Sequence, residues 1–108
     1  MKKIDFKKRV EELEIAGKVY EIEVSNYDFI KKSEVFVVEL EESRQKLMNG
    51  GNVDDMLSCL KQMIDFVLGD YDRIWEEAGH NIHNMLDVAM AINDTLQTGL
   101  QYKIGKYL

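Results

Sequence analysis

The sequence contains no proline and only one cysteine, and each absence excludes a class of structure. Without proline, the chain lacks the residue that most strongly interrupts a helix. With Cys59 alone, it has neither an internal disulfide nor a zinc site built from several cysteines, which fits a reducing, intracellular setting. It also lacks a long apolar run, and the basic start MKKIDFKKRV lacks the apolar stretch of a secretory signal. We therefore expect no membrane partner.

The size and charge of the chain indicate one acidic domain. Its 108 residues, 45% hydrophobic and 31% charged, have the composition of a single globular domain, residues 1–108. The net charge of -6 repels phosphate backbones, so we expect no nucleic-acid partner. Basic residues gather at the beginning, and we predict a basic, flexible N-terminal arm over residues 1–9. A phosphate clamp is the less favoured alternative for this arm.

A β-hairpin is predicted for VEELEIAGKVYEIEV, residues 10–24, because apolar and acidic positions alternate on both sides of Ala16-Gly17. One face is predicted to join the core, and it carries Leu13, Ile15, Tyr20, Ile22 and Val24. The other face carries four glutamates, Glu12, Glu14, Glu21 and Glu23. We expect a solvated acidic face, and such a row also suits a basic partner. The turn type stays open, because Ala16 is uncommon at positive φ.

From SNYDF, residues 25–29, through residue 48 the pattern predicts a helix, with Ser25 or Asn26 as its cap. The apolar stripe of this helix consists of Phe29, Phe36, Leu40 and Leu47. Residues 34–40, EVFVVEL, are rich in β-branched side chains and would also suit a buried strand. The polar flanks KKSE and EESRQK favour the helix.

The segment NGGN, residues 49–52, ends that helix, and Asn52 opens the next one, which Gly69 closes. This second helix is strongly amphipathic. Its predicted core face consists of Met56, Leu57, Leu60, Met63, Ile64, Val67 and Leu68. Cys59 and Phe66 form an apolar shoulder beside that face. Extra core contact is the favoured interpretation of the shoulder, and a protein-protein contact is the alternative.

Two further helices complete the predicted fold. The short segment DYDRIWEEAG stops at Gly79, and its Trp75 suits either the core or an interface. The last helix begins near residue 82, and its pattern loosens after Gly99. Its apolar stripe consists of Ile82, Met85, Leu86, Ala89, Ile92, Leu96 and Leu100. We therefore predict an α+β fold, an N-terminal β-hairpin followed by about four helices in a mostly helical single domain.

Both histidines lie in EEAGHNIHNM, residues 76–85, and with Asp87 they are the only candidate for a metal site. Gly79 should end one helix and Asn81 should cap the next, which leaves His80 in the loop and out of register with His83. A metal-dependent enzyme that uses His80, His83 and Asp87 is thus a remote alternative. Since the sequence has no nucleophile elbow and no phosphate-binding glycine loop, we expect no enzymatic activity and no cofactor.

Three segments, taken in order, resemble the small tail assembly chaperones of siphoviruses and related prophages of Gram-positive bacteria: LEIAGKVYEIEVSN, MIDFVLGDYDRIWEEAG and NIHNMLDVAMAIN. In that family a short hairpin with a Gly-Lys-x-Tyr turn precedes the helices. A helix that ends in Ile-Asp-x-Val-Leu-Gly then leads through a short aromatic segment into a final helix. The resemblance covers nearly the whole chain after residue 10 and is a pattern of hydrophobic positions and turns.

The resemblance implies a non-enzymatic chain that acts by binding other proteins. Such chaperones bind the long, helical tape measure protein, keep it soluble and recruit tail tube subunits before leaving the finished particle. This implies a place in the cytoplasm of a bacterial host, outside the mature virion, and leaves open homo-oligomers and a longer frameshifted form. Our predicted partner-binding residues are Cys59, Phe66, Trp75, Glu12, Glu14, Glu21 and Glu23. A structural phage subunit, or a regulatory protein-protein interaction subunit, is the alternative.

Overall fold

The computed structural model of the protein describes the backbone of residues 1–105 and the side chains of residues 1–99. An antiparallel β-hairpin is followed by four helices, so the predicted α+β class is confirmed. The elements in chain order are β1 (Val10–Ile15), β2 (Lys18–Glu23), α1 (Tyr27–Met48), α2 (Val53–Leu68), α3 (Tyr71–Glu77) and α4 (Ile82–Gly105). None of the described helices combines the length and apolar character that crossing a bilayer requires.

The hairpin forms in the predicted register, with Leu13 opposite Tyr20. Its predicted core face is confirmed, because every member is buried or half-buried: Leu13, Ile15, Tyr20, Ile22 and Val24. Pairing extends slightly beyond β1, since the Val24 amide donates to the Arg9 carbonyl at 2.9 Å. Residues 1–8 belong to no helix or strand, and their side chains are exposed.

The hairpin turn places Ala16 at φ 49° and Gly17 at φ 81°. Positive φ at both positions is what a type I′ turn requires, and its twist matches that of the strands. Ala16 lies in a conformation that costs a residue with a Cβ about 1–2 kcal/mol. Its carbonyl oxygen accepts a hydrogen bond from Nη2 of Arg73 at 3.0 Å, which offsets part of that cost.

Residues 34–40 lie in the middle of α1, so the helical alternative is the observed one. Asn26 caps the helix, because its side-chain oxygen accepts from the Phe29 amide at 3.0 Å. The predicted stripe packs against the core through Phe29, Phe36, Leu40 and Leu47. Helical spacing buries these four residues on one side, and this packing outweighs the strand preference of the valines. Val35 and Val38 point away from the core and are exposed.

The core is built around α2, which packs against α1, α3, α4 and β2. Asn52 caps α2 through a hydrogen bond from the Asp54 amide at 2.8 Å, and Gly69 ends it at φ 70°. The predicted α2 face is buried or half-buried throughout: Met56, Leu57, Leu60, Met63, Ile64, Val67 and Leu68.

The chain reverses between α3 and α4 through two residues at positive φ, Gly79 at 69° and His80 at 57°. Asn81 caps α4 as predicted, accepting from the Asn84 amide at 3.0 Å. The helix continues past Gly99 to Gly105, so the looser apolar pattern there does not end it. The described members of the α4 stripe are buried or half-buried, and Leu100 lies outside the described side chains.

Candidate functional site

An open groove of about 460 Å³ lies between α1 and α4, with α2 beneath it. α1 and α4 each pack on α2, and the groove runs between the sides of these two helices that face each other. Buried Met63 of α2 and Ala89 of α4 form the floor. Because Ala89 has only a methyl side chain, α4 does not fill the space above α2.

The walls of the groove are apolar side chains that remain partly exposed to solvent in the folded chain. Val37 and Leu40 of α1 are half-buried on one side, and Leu86 of α4 is half-buried on the other. Met90 stands at the rim of α4 with 63% of its surface exposed. A flexible thioether side chain at the rim of an apolar groove can repack around ligands of different shape. The arrangement suits the apolar stripe of a partner helix, which binds such grooves through residues spaced three or four apart.

A charged pair on α1, Glu41 and Arg44, lines the polar part of the groove. Arg44 donates to both carboxylate oxygens of Glu41, from Nη2 at 2.6 Å and from Nε at 3.0 Å. The hydrogen bonds from Arg44 lower the pKa of Glu41, and Glu41 in turn raises the pKa of Arg44. Exposed pairs contribute little to stability. A charged pair beside an apolar floor can, however, orient a helix that enters such a groove.

The predicted shoulder of α2 contacts this chain's own α1. The ring of Phe66 stacks on Phe29 at a centroid distance of 5.2 Å and lies 5.4 Å from Phe36, while the Lys32 ammonium sits 4.6 Å from its centroid. Cys59 is half-buried, with its Sγ 3.1 Å from the Ser43 hydroxyl. These contacts favour the core interpretation of the shoulder, and its role in binding a partner stays a prediction.

Trp75 packs inside an aromatic stack at the α3-α4 junction. Its ring lies between Tyr71, at 6.1 Å, and His80, at 4.7 Å, with interplanar angles of 13° in both cases. His80 Nε2 also lies 2.9 Å from Glu76 Oε1. His80 thus combines positive φ with a ring stacked on Trp75, and its amide donates to the Trp75 carbonyl at 3.1 Å. Trp75 is half-buried, and no described contact tests its predicted role as an interface anchor.

The two histidines do not form the metal site considered from the sequence. His80 lies outside the helices, as expected, and its ring faces Trp75 and Glu76. His83 and Asp87 are exposed on the first turns of α4. Within the described part of the chain, no three His, Cys, Asp or Glu residues are grouped closely enough to hold a metal ion.

The four predicted glutamates share the outer face of the hairpin, with Glu12 opposite Glu21. Glu12, Glu14 and Glu21 are exposed, and Glu23 is half-buried beside Ser25. Like charges directly opposite each other on a strand pair repel. The fold tolerates this face because its glutamates are largely exposed to water, which screens the repulsion. The acidic face, the shoulder and Trp75 therefore lie in separate places, and none of them lines the groove.

A hydrogen-bond network that the sequence did not suggest attaches the hairpin to the start of α3. The Tyr20 hydroxyl donates to Asp70 Oδ2 at 2.6 Å and accepts from Arg73 Nη1 at 3.0 Å, and Lys18 Nζ donates to the same carboxylate oxygen at 2.9 Å. Donation by Tyr20, followed by Lys18, lowers the pKa of Asp70. Burial, followed by the bond to Asp70, raises the pKa of Tyr20. The network holds β2 against the start of α3.

Sequence reasoning had placed four of the nine groove residues in the core stripes: Leu40, Met63, Leu86 and Ala89. Met90, an apolar residue just off the α4 stripe, was the one sequence feature that could have indicated an exposed apolar site. Nothing in the nearby sequence showed which element would face it. Comparisons of the chain with protein-family models, with curated proteins and with solved structures found no match.

Proposed function

We propose that the protein is a non-enzymatic tail assembly chaperone that binds the tape measure protein during phage tail formation. The observation that carries this proposal is the open apolar groove between α1 and α4, with Met90 exposed at its rim. The resemblance of the hairpin and the helix boundaries to that family supports the same assignment. In this role the chain acts in the cytoplasm of a bacterial host and is absent from the finished particle.

The groove matches the physical problem that a tape measure protein poses. A long helical protein without its tube exposes apolar stripes, and exposed apolar surface aggregates. One groove covers a short stretch of such a stripe, so each contact is weak. Many copies along one long partner raise the effective concentration of the next contact, and the assembly gains avidity. The net charge of -6 keeps the covered complex dispersed.

The tail tube subunits would meet a different surface, the acidic outer face of the hairpin. Glu12, Glu14 and Glu21 project from it into solvent, where they would steer a basic patch of a partner towards the hairpin. A tape measure protein in the groove and a tube subunit on the hairpin would then contact separate parts of one small chain.

Co-expression with a tape measure fragment tests the groove. Met90→Glu places a charge at the apolar rim, so we expect loss of soluble complex and at least about tenfold weaker binding, as a buried charge disrupts an apolar contact. Tyr27→Glu is the control, because Tyr27 is 72% exposed at the start of α1 and does not line the groove. A fragment that stays insoluble with the wild-type chain, or that binds both variants equally well, would remove the groove from the proposal.

A second candidate is a structural phage or regulatory subunit that stays in its assembly. The observation that favours it is the two-stranded sheet, because each strand of a lone hairpin has one edge that the other strand does not pair. Mass spectrometry of purified virions separates the candidates. Stoichiometric amounts of the chain in virions favour the structural subunit, and its absence there favours the departing chaperone.

A further inference from the structure

The groove between α1 and α4 continues into a second, smaller depression between the same two helices. Residues 30–34 of α1 share this depression with residues 93–97 of α4, whereas residues 37–44 share the groove with residues 86–93. The two helices therefore run antiparallel, and Asn93 lines both depressions. We call the combined feature the α1–α4 seam. It follows α1 for about 21 Å, at 1.5 Å of rise per residue.

The walls of the seam favour a helix as its occupant. The backbone donors and acceptors of α1 and α4 are paired within each helix, so they cannot form a ladder with an extended peptide. An extended segment would lose its hydrogen bonds to water on entering the seam, whereas a helix pairs its own backbone groups. A partner helix of about four turns matches the length of the seam.

One polar side chain in the middle of the seam lacks a partner. The half towards Arg44 has an apolar floor of Met63 and Ala89, and its charged residues, Glu41 and Arg44, are hydrogen-bonded to each other. Asn93 is half-buried, and within the described part of the chain its carboxamide makes no hydrogen bond. An apolar side chain placed over Asn93 would cut its carboxamide off from water and leave it unpaired, which weakens binding.

We propose that Asn93 sets the register of the bound helix by hydrogen-bonding to a polar residue within the apolar stripe of that helix. The stripe then consists of apolar residues spaced three and four apart, with one carboxamide or hydroxyl side chain at the position that faces Asn93. This inference rests on the proposed function, because it names a feature of the tape measure stripe that the groove binds.

A single polar position is enough to select one register. If the partner helix slid by one turn, an apolar side chain would lie on Asn93 and the polar side chain would lie over an apolar part of the seam. Both polar groups would then be buried without a partner. A lone asparagine in the apolar interface of a coiled coil fixes the register for the same reason.

Two synthetic peptides test this role of Asn93 by isothermal titration calorimetry. Both form the same amphipathic helix of about 18 residues, one with leucine throughout its stripe and the other with asparagine at the central stripe position. The readout is the ratio of their affinities, asparagine peptide over leucine peptide. We expect this ratio to fall at least about tenfold from the wild type to Asn93→Leu, because only the wild type pairs the peptide's asparagine.

Gln97→Leu is the matched control, since Gln97 lines the same seam one turn further along α4. It should keep the wild-type ratio, and circular dichroism should show native helix content for both variants. The proposal is overturned if Asn93→Leu keeps the wild-type ratio, if Gln97→Leu changes the ratio equally, or if the wild type binds neither peptide at millimolar concentration.

Rescue of the tape measure fragment is scored separately, so the two proposals can fail independently. A wild-type chain that keeps the fragment soluble but fails the peptide test retains the chaperone assignment and loses the register role of Asn93. A chain that passes the peptide test but rescues no fragment retains the role of Asn93 as a reader of helices and loses the chaperone assignment.

Discussion

At the scale of single residues, one carboxylate joins the hairpin to the start of α3. Asp70 accepts hydrogen bonds from both Tyr20 and Lys18, which belong to β2, although Asp70 itself lies between α2 and α3. The hydrogen bonds favour the ionised form, and they hold the pKa of Asp70 below its ordinary value of 3.8. A residue that joins elements about fifty positions apart in the chain cannot be identified from local pattern.

The lowered pKa of Asp70 predicts how stability responds to acid. The ionised carboxylate of Asp70 accepts hydrogen bonds from Tyr20 and Lys18 only in the folded state. Its contribution to the free energy of unfolding is therefore complete above the pKa that Asp70 has in the unfolded chain. The contribution is lost as the pH falls through the lower, folded pKa. Asp70→Asn removes this titration, and we expect its urea midpoint to lie below that of the wild type near neutral pH and to converge with it in strong acid. Glu77→Gln on α3, whose side chain is exposed, is the control and should follow the wild-type profile. Parallel profiles of Asp70→Asn and the wild type would contradict the assignment.

At the scale of elements, the approach of α4 to the hairpin depends on the absence of a side chain. Gly99 is buried against Val24, and a Cβ at this position would lie 2.5 Å from Val24 Cγ2. Val24 is β-branched and has few rotamers with which to move aside. The glycine that weakens the helical pattern in the sequence is thus the residue that lets α4 pack on the hairpin.

Gly99→Ala tests this contact because two effects oppose each other. Alanine favours a helix over glycine by about 0.5–1 kcal/mol, whereas overpacking a closed contact costs about 1–3 kcal/mol. We expect the steric term to exceed the helical gain, so the free energy of unfolding should fall by about 1–2 kcal/mol. Thr98→Ala, at the exposed neighbouring position, should change stability little. Stabilisation by Gly99→Ala would show that the interface relaxes easily.

At the scale of the whole molecule, α2 is the central element and the N-terminal arm is the peripheral one. α2 packs against three helices and a strand, and residues 60, 63 and 64 are almost completely buried. The arm belongs to no helix or strand. A backbone amide exchanges its hydrogen only when the structure around it opens, and deeply packed elements open least often. Protection from exchange should therefore fall from α2 towards the N-terminal arm.

Hydrogen exchange measures this gradient. We expect the slowest exchange at residues 60–64 of α2, intermediate rates along α1, and the fastest exchange in residues 2–8. Slower exchange in α1 than in α2 would mean that α2 is not the last element to open.

The positions of the elements were predicted largely from the sequence, for reasons that are local. Asn26, Asn52 and Asn81 cap the three long helices because their side chains reach amides only two or three residues ahead. Residues 34–40 were the ambiguous case, since β-branched side chains favour strands and the spacing of Phe36 and Leu40 favours a helix. Residues 34–40 form a helix because Phe36 and Leu40, at helical spacing, pack against the core.

The sequence by itself determined the element order, the caps, the hairpin register and the apolar faces, because each depends on residues close together in the chain. Only the tertiary structure decided which faces are left incompletely covered. The groove combines Leu40, Met63 and Met90 from three helices, and the hairpin network combines Tyr20 with Asp70. These contacts exist because the helices cross α2 at particular places, and crossing geometry is a property of packed elements that no local pattern carries.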